Sequence, residues 1–251
     1  MTEPAIDIVY DREPAFFDDG LPVFLTSEQA KALDEYEAEN PYRTARTAAT
    51  RWDEFRIGTV VEFAAGVVLD AGCGEGDLTE RLRHRHQVAA FDCSISAVKR
   101  ARDRLPAVRF AVADAADLPY APDQFDTVIA ANLFEHVESP CAMLRHAHSV
   151  LRSKGRLVIS TPSRYRTRNF RRVLRGESIR FNHRHHVTEY TNGQVEELLA
   201  RCGFTLTDVK TNLTCGTIIG TIAAKTMQAT ADLLGAHVKF GDPTVYVSRR
   251  E

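Results

Sequence analysis

The sequence predicts an α/β protein: a doubly wound, mostly parallel seven-stranded sheet with helices on both faces. Three observations carry that expectation. Val67, Val68 and Leu69 form an apolar run ending in the acid Asp70, and glycines follow at alternate positions, Gly72, Gly74 and Gly76. From there, apolar runs of strand length alternate with segments of helical period. Two further runs also end in acids, Asp92 and Asp114, and the carboxyl ends of parallel strands are where such sheets bind ligands.

Composition bounds the classes. At 251 residues and 44% hydrophobic, the chain can bury one sizeable core. A formal charge of −2 gives no global attraction to nucleic acid or to an acidic membrane, so any such partner rests on a local patch. Five cysteines, Cys73, Cys93, Cys141, Cys202 and Cys215, contain no CxxC pair, which points to free thiols in a reducing compartment. Met1 to Tyr10 lacks the apolar core of a signal peptide, and the apolar stretch near Ile218 to Ala224 is too short to span a bilayer. The expectation is a soluble, cytoplasmic protein.

Taken in order, residues 1–25, with Pro4, Pro14, Gly20 and Pro22, read as an irregular arm without strand character. Thr26 or Ser27 caps a helix to about Glu39, stopped by Asn40-Pro41, and a second helix runs from Thr44 to Phe55. Strands follow at Gln87 to Asp92, Val108 to Val112, Phe125 to Ala131, Arg156 to Thr161, Phe204 to Val209 and Pro243 to Ser248. Between them, Ser94 or Ser96 opens one helix. Ser139-Pro140 opens another, with Leu144, Ala147 and Leu151 inward and Lys154-Gly155 closing it. Thr191 and Gln194 make a capping box for a third, which ends at Gly203. A last helix places Ile219, Ala223, Met227 and Leu234 on one face. The organisation is one domain: an arm and helical lid over 1–60, then a body over 61–251 with an insert at 163–190 and an extra helix at about 216–236.

The glycine spacing is G-x-G-x-G, not the G-x-G-x-x-G of dinucleotide sites, and the Walker lysine is absent. Glu75 and Asp77 put acids in and beside the turn, where they would repel a pyrophosphate and suit a cationic cofactor.

Across Val67 to Val209 these motifs, in this order, resemble the class I S-adenosylmethionine-dependent methyltransferases, in their small-molecule, ubiquinone-pathway-like branch. The resemblance implies a Rossmann-like fold, with S-adenosylmethionine as cofactor and S-adenosylhomocysteine as product. Asp70, Gly72, Cys73 and Gly74 would form the turn under the methionine part. Asp92, followed by Cys93, would hold both ribose hydroxyls, and Asp114 and the Ala115 amide the adenine. Asn132 opens the motif after the fourth strand, Gly155 matches the glycine before the fifth, and Arg43 matches an arginine that pairs with the cofactor carboxylate.

A sulfonium is already an activated methyl donor, so the enzyme mainly holds acceptor, methyl and sulfur in line; a hydroxyl acceptor also needs a base. His136, beside Glu135, and His185 and His186 in the His183 to His186 run are the candidates, weighed against plain exposed loop histidines. A metal reading comes from a resemblance to RNA 2′-O-methyltransferases with a Glu-x-x-Glu-His motif. Here the first glutamate is Asn132, which removes carboxylate charge, and no metal is expected.

Arg164, Arg166, Arg168, Arg171, Arg172, Arg175, Arg180 and Arg184 crowd the insert, and arginine forks suit a carboxylate or phosphate. The expected partner is therefore a small acceptor bearing such a group. Nucleic acid is not favoured, because aromatic interleaving is thin, and a homodimer is open. The competing readings are an RNA or glycan methyltransferase and a non-catalytic, cofactor-binding scaffold protein.

Overall fold

The computed structural model describes residues 7–38, 51–181, 183–213, 218–235 and 239–251. Two short strands, β1 (Phe16–Asp18) and β2 (Leu21–Val23), precede helices α1 (Ser27–Ala38) and α2 (Arg51–Phe63). The glycine turn then joins β3 (Val67–Ala71) to α3 (Asp77–Leu82). The units β4 (Gln87–Asp92), α4 (Ile95–Arg104), β5 (Arg109–Val112), β6 (Phe125–Ala131), α5 (Pro140–Val150) and β7 (Leu151–Thr161) follow. The chain closes with α6 (Thr167–Leu174), α7 (Asn192–Arg201), β8 (Phe204–Thr211), α8 (Ile218–Leu233) and β9 (Thr244–Arg250).

One sheet holds all of these strands in the order β1-β2-β5-β4-β3-β6-β7-β9-β8. The five strands from β5 to β7 are parallel, and β9 enters antiparallel between β7 and β8. Period-2 alternation sends neighbouring residues to opposite faces. Leu69, Val128 and Leu157 pack with α5 and α7 residues such as Leu144 and Val195. Val68, Ile129 and Val158 pack with Val60, Leu78 and Leu82 from α2 and α3. The chain reverses direction across the sheet between β3 and β6, so the crevice outside their carboxyl ends is the switch point at which such sheets hold ligands. Among the described residues, no helix is long and apolar enough to cross a membrane.

Several expectations are corrected. The arm contains a hairpin: Phe16 pairs with Val23, and Asp19 and Gly20 turn with φ of 51° and 77°. Asp-Gly with both φ positive is the turn that matches strand twist, and it adds two strands to the seven expected. α2 runs past its predicted end at Phe55 to Phe63, because Val60 is fully buried against the sheet, and the predicted start, residues 44–50, lies outside the described residues. α5 stops at Val150, and Leu151 to Gly155 form a bulged start to β7, with Lys154 at φ 62°. On α8 the inward positions are Ala224, Gln228 and Ala231, while Leu234 is 75% exposed. Among the described residues, Cys73, Cys93, Cys141 and Cys202 form no disulfide, and Cys215 lies outside them.

Candidate active site

The glycine turn is fixed from both sides. The Gly72 and Cys73 amides both donate to the Phe91 carbonyl at 2.9 Å, bending the chain sharply off β3. Gly72 has φ 72°, and a Cβ there would sit 3.1 Å from Leu133 Cδ1, so a side chain would push against the loop after β6. Gly74, at φ 52°, has no neighbouring atom within 4 Å of its would-be Cβ. This open space beside bare backbone is a cradle where a ligand can approach the chain closely.

Gly76, at φ 83°, caps α3 and would place its Cβ 3.1 Å from Leu105 and 3.2 Å from Ala101. Gly76→Ala is therefore expected to cost about 1–3 kcal/mol, from left-handed strain plus crowding. Urea unfolding checks this, and a change below about 0.5 kcal/mol would contradict it.

The strand-end acids differ in their surroundings. Asp70 is 1% exposed and accepts from Thr79 Oγ1 at 2.6 Å, so it ties β3 to α3; burial pushes its carboxyl up to about 6. Asp92 accepts from the Gly74 amide at 2.8 Å and the Ser94 amide at 3.0 Å, and burial raises its pKa. Asp114 accepts from the Ala116 amide at 2.8 Å, beside a buried Ala115. Cys73 is buried, which pushes its thiol up, and Cys93 is partly buried against α4.

The acids of the turn do not act as expected. Glu75 pairs with Arg100 at 2.7 Å and Asp77 with Arg104 at 2.9 Å, so arginines of α4 neutralise them. The glycine spacing, not these charges, carries the distinction from dinucleotide sites.

After β6, Asn132 takes φ 55° while its amide donates to the Ser160 carbonyl at 2.8 Å. This turn sends Glu135 inward and His136 toward the insert. Glu135 is 1% exposed, and burial pushes its carboxyl up to about 7 against the lowering pull of His186 and of the Thr161 hydroxyl beside it. Its backbone carbonyl accepts from the Val187 amide at 2.8 Å, stitching the insert to the β6 loop.

His136 Nδ1 lies 3.1 Å from the His185 carbonyl, an acceptor only, so Nδ1 carries the proton and Nε2 keeps its lone pair. Burial, then the neighbouring His186, lowers the His136 pKa to about 4, and the ring is neutral at physiological pH. His186 is buried and donates from Nδ1 to Glu189 Oε1 at 3.1 Å, while Glu189 Oε2 pairs with Arg166 at 2.6 Å. The His136 and His186 rings meet edge-on with centroids 5.0 Å apart. One ligand atom each from Glu135, His136 and His186 lies within 4.8 Å of the others.

The structure thus gathers Glu135, His136 and His186 but parts His185 from them. His185 contributes its carbonyl to His136, while its ring Nε2 accepts from Arg184 Nε at 3.0 Å. Arg43 lies outside the described residues. In the insert, Arg168, Arg171, Arg175 and Arg180 face solvent, whereas Arg166 is 5% exposed and belongs to the Glu189 pair. Arg164 Nε is buried without a partner among the described residues. Glu189, Ser160 and Thr161 escape sequence reasoning, and Arg166, read with the other insert arginines as suited to an acidic acceptor, is spent on Glu189 instead. A glutamate just before the Thr191 cap carries no pattern of its own, and its partner Arg166 reads as one of a run of insert arginines.

Comparison with known proteins agrees with this geometry. A family model described as "Methyltransferase domain" matches residues 39–209. A ubiquinone biosynthesis O-methyltransferase of Xanthomonas euvesicatoria is 38% identical over 114 residues, 43% of this chain and 48% of that protein. The 27-O-demethylrifamycin SV methyltransferase of Amycolatopsis mediterranei is 33% identical over 146 residues, 52% of this chain and 54% of that protein. The chain thus spans about half the length of these curated relatives. Among solved structures, an S-adenosylmethionine-dependent methyltransferase from Thermotoga maritima superposes with a TM-score of 0.60 at 15% identity, covering 88% of this chain and 97% of that one; it shares the fold. With a family model matching well over half of its length, the chain belongs to the methyltransferase-domain family, among the class I S-adenosylmethionine-dependent methyltransferases.

Proposed function

We propose that this protein is an S-adenosylmethionine-dependent O-methyltransferase of the cytoplasm, acting on a small hydroxyl-bearing metabolite of quinone or natural-product type. The observation that carries the reading is one juxtaposition. The glycine turn with Asp92 and the Glu135–His136–His186 group stand on the two sides of the β3–β6 switch point. The relatives named above methylate oxygen in such pathways by their names, which supports the acceptor class.

The residues fit the cofactor. The open cradle at Gly74 admits a ligand against bare backbone, Asp92 and Asp114 stand at neighbouring strand ends, and Gly72, Cys73, Cys93, Ala115 and Asn132 line the same edge. When bound, the sulfonium supplies a methyl group already activated for transfer. The chain's task would be alignment, exclusion of water and activation of the acceptor hydroxyl, whose proton His136 Nε2 would take as the oxygen accepts the methyl. Asp70 acts at one remove, holding the turn through Thr79. The hydroxyl is activated at the Glu135–His136–His186 group, where neutral His136 offers the Nε2 lone pair. Arg164, with its buried and unsatisfied Nε, is the insert's candidate for an acidic group on the acceptor.

The test is transfer of labelled methyl to a panel of phenols, quinols and hydroxylated macrolactones. Saturable turnover with one acceptor class supports the reading; methylation confined to nitrogen acceptors or to RNA would overturn it.

Glu135→Gln separates function from stability. It is expected to lower kcat about 10²- to 10⁴-fold while leaving S-adenosylhomocysteine affinity within about threefold. The folded pKa of about 7 lies above the ordinary value of 4.5, so the native carboxyl contributes fully below pH 4.5 and loses that contribution as pH rises through 7. The glutamine variant should therefore gain stability over the parent at pH 8, by up to about 3 kcal/mol, and gain none at pH 4. Thermal melts at the two pH values check the sign.

A further inference from the structure

We propose that Asp34 of α1 is a positioning residue for the adenosine half of the cofactor, holding from outside the turn that carries Asp92. Its Oδ1 accepts from the Ser94 hydroxyl at 2.8 Å and from the Ser96 amide at 3.1 Å. Ser94 caps α4, and its own amide donates to Asp92 Oδ1 at 3.0 Å. Asp92 Oδ2 takes the Gly74 amide at 2.8 Å. One chain of hydrogen bonds therefore runs from α1, through the cap of α4 and the strand-end acid, to the glycine cradle.

The Ser94 hydroxyl explains why a carboxylate stands there. A hydroxyl has one proton and two lone pairs, and a carboxylate can only accept. Asp34 takes the proton, which turns a lone pair toward the Ala97 amide at 3.2 Å, the bond that caps α4. Ser96 Oγ, also 3.2 Å away, then donates to the other lone pair. Ser94 is fully buried, so solvent does not compete for its proton. Without Asp34 the hydroxyl is free to turn, and the Asp92 turn loses its outer anchor.

Charge points the same way. The first turn of α4 contains no acid of its own, so Asp34 brings an anion from another helix to its amino end, where the helix dipole favours one. The ion pairs of the hairpin with α4 lie further along the helix, Asp18 with Lys99 and Asp19 with Arg102. Ala30 of α1 packs in one cluster with Val98 and Ala101 of α4, so apolar contact seats α1 and Asp34 is left to orient the turn. The inference rests on the methyl-transfer reading for the identity of the ligand. A residue that acts on the Asp92 turn governs ribose and purine, not the methyl or the acceptor. Its loss should raise the KM for S-adenosylmethionine and leave kcat at saturation unchanged.

Calorimetry on the full chain with two ligands provides the test. One is S-adenosylhomocysteine; the other is 5′-methylthioadenosine, which keeps the adenosine and lacks the amino-acid end. Asp34→Ala should weaken both by the same factor, about tenfold. Asp34→Asn keeps an acceptor oxygen and should stay within about threefold of the parent. Ser94→Ala should lose about as much as Asp34→Ala, and the double variant no more than either, because the same chain of bonds is broken once. Asp18→Ala loosens the hairpin on the same helix and should leave both affinities within about twofold, which separates positioning from a general loss of stability. Parent-like binding of both ligands by Asp34→Ala, a loss confined to S-adenosylhomocysteine, or an equal loss in Asp18→Ala overturns the proposal. If Asp34→Ala fails to melt cooperatively, Ser94→Ala decides, and parent-like affinity there overturns it. A parent chain that binds neither ligand sinks the cofactor site and this proposal together. If the affinities change as expected but no hydroxyl acceptor is methylated, the O-methyl-transfer reading falls and the role of Asp34 stands.

Discussion

Glu189→Ala is expected to destabilise the protein by about 3 kcal/mol, because it removes the carboxylate paired directly with the buried Arg166 guanidinium and leaves it the charge of Asp242 without that ion pair. The two side chains are 6% and 1% exposed and 2.6 Å apart, and Glu189 also holds His186. The remaining hydrogen bonds of Arg166, to the carbonyls of Ser163 and Arg180 at 3.3 Å each, are neutral and long. In a chain of this length the loss corresponds to a melting point lower by roughly 10 °C. Replacing both partners, as Arg166→Met with Glu189→Met, should recover most of the stability, since neither charge then needs solvating. That double variant should still lose methyl transfer, because His186 no longer has its orienting carboxylate. A single Glu189→Ala loss below about 1 kcal/mol would show that Arg166 finds water instead.

Asp92→Ala should weaken S-adenosylhomocysteine binding at least about 100-fold, measured by calorimetry. On the proposed reading its carboxylate takes two charge-assisted hydrogen bonds from the ligand, each worth about 1.5–3 kcal/mol. The same carboxylate braces the Gly74 amide at 2.8 Å and the Ser94 amide at 3.0 Å, so the alanine variant also loosens the turn. Asp92→Asn keeps one acceptor oxygen and should fall between, at roughly tenfold. Affinity unchanged in the alanine variant would remove the β4 carboxyl end from the binding site.

What could be read from the sequence was written in local chemistry. Gln87–Asp92 and Phe125–Ala131 appear with the predicted bounds because buried parallel strands are short apolar runs with sharp ends. Thr191 and Gln194 form the expected capping box, and Pro140 stands at the start of α5. What could not be read depended on partners distant in the chain. The strands of the arm's hairpin are three residues each, too short to carry a period, and only Asp19-Gly20 marked them. Glu75 and Asp77 looked like charges aimed at a ligand until α4 brought Arg100 and Arg104 onto them. Likewise His185 and His186 are neighbours of one type. Burial and the Glu189 carboxylate, not sequence, set them apart.

The hairpin has a consequence for solubility. Without it, β5 would end the sheet with a row of open amides and carbonyls, a template on which another chain could pair. β2 caps the end of that row through Val23 and Val112, and Lys99 and Arg102 of α4 clamp the hairpin through Asp18 and Asp19. The sheet's outer margin then passes to β1, three residues long and ending in the ion-paired Asp18, with ion-paired Asp19 next. An edge so short and charged offers little to a growing fibril, so the hairpin of residues 16–23 guards the parallel core against self-association.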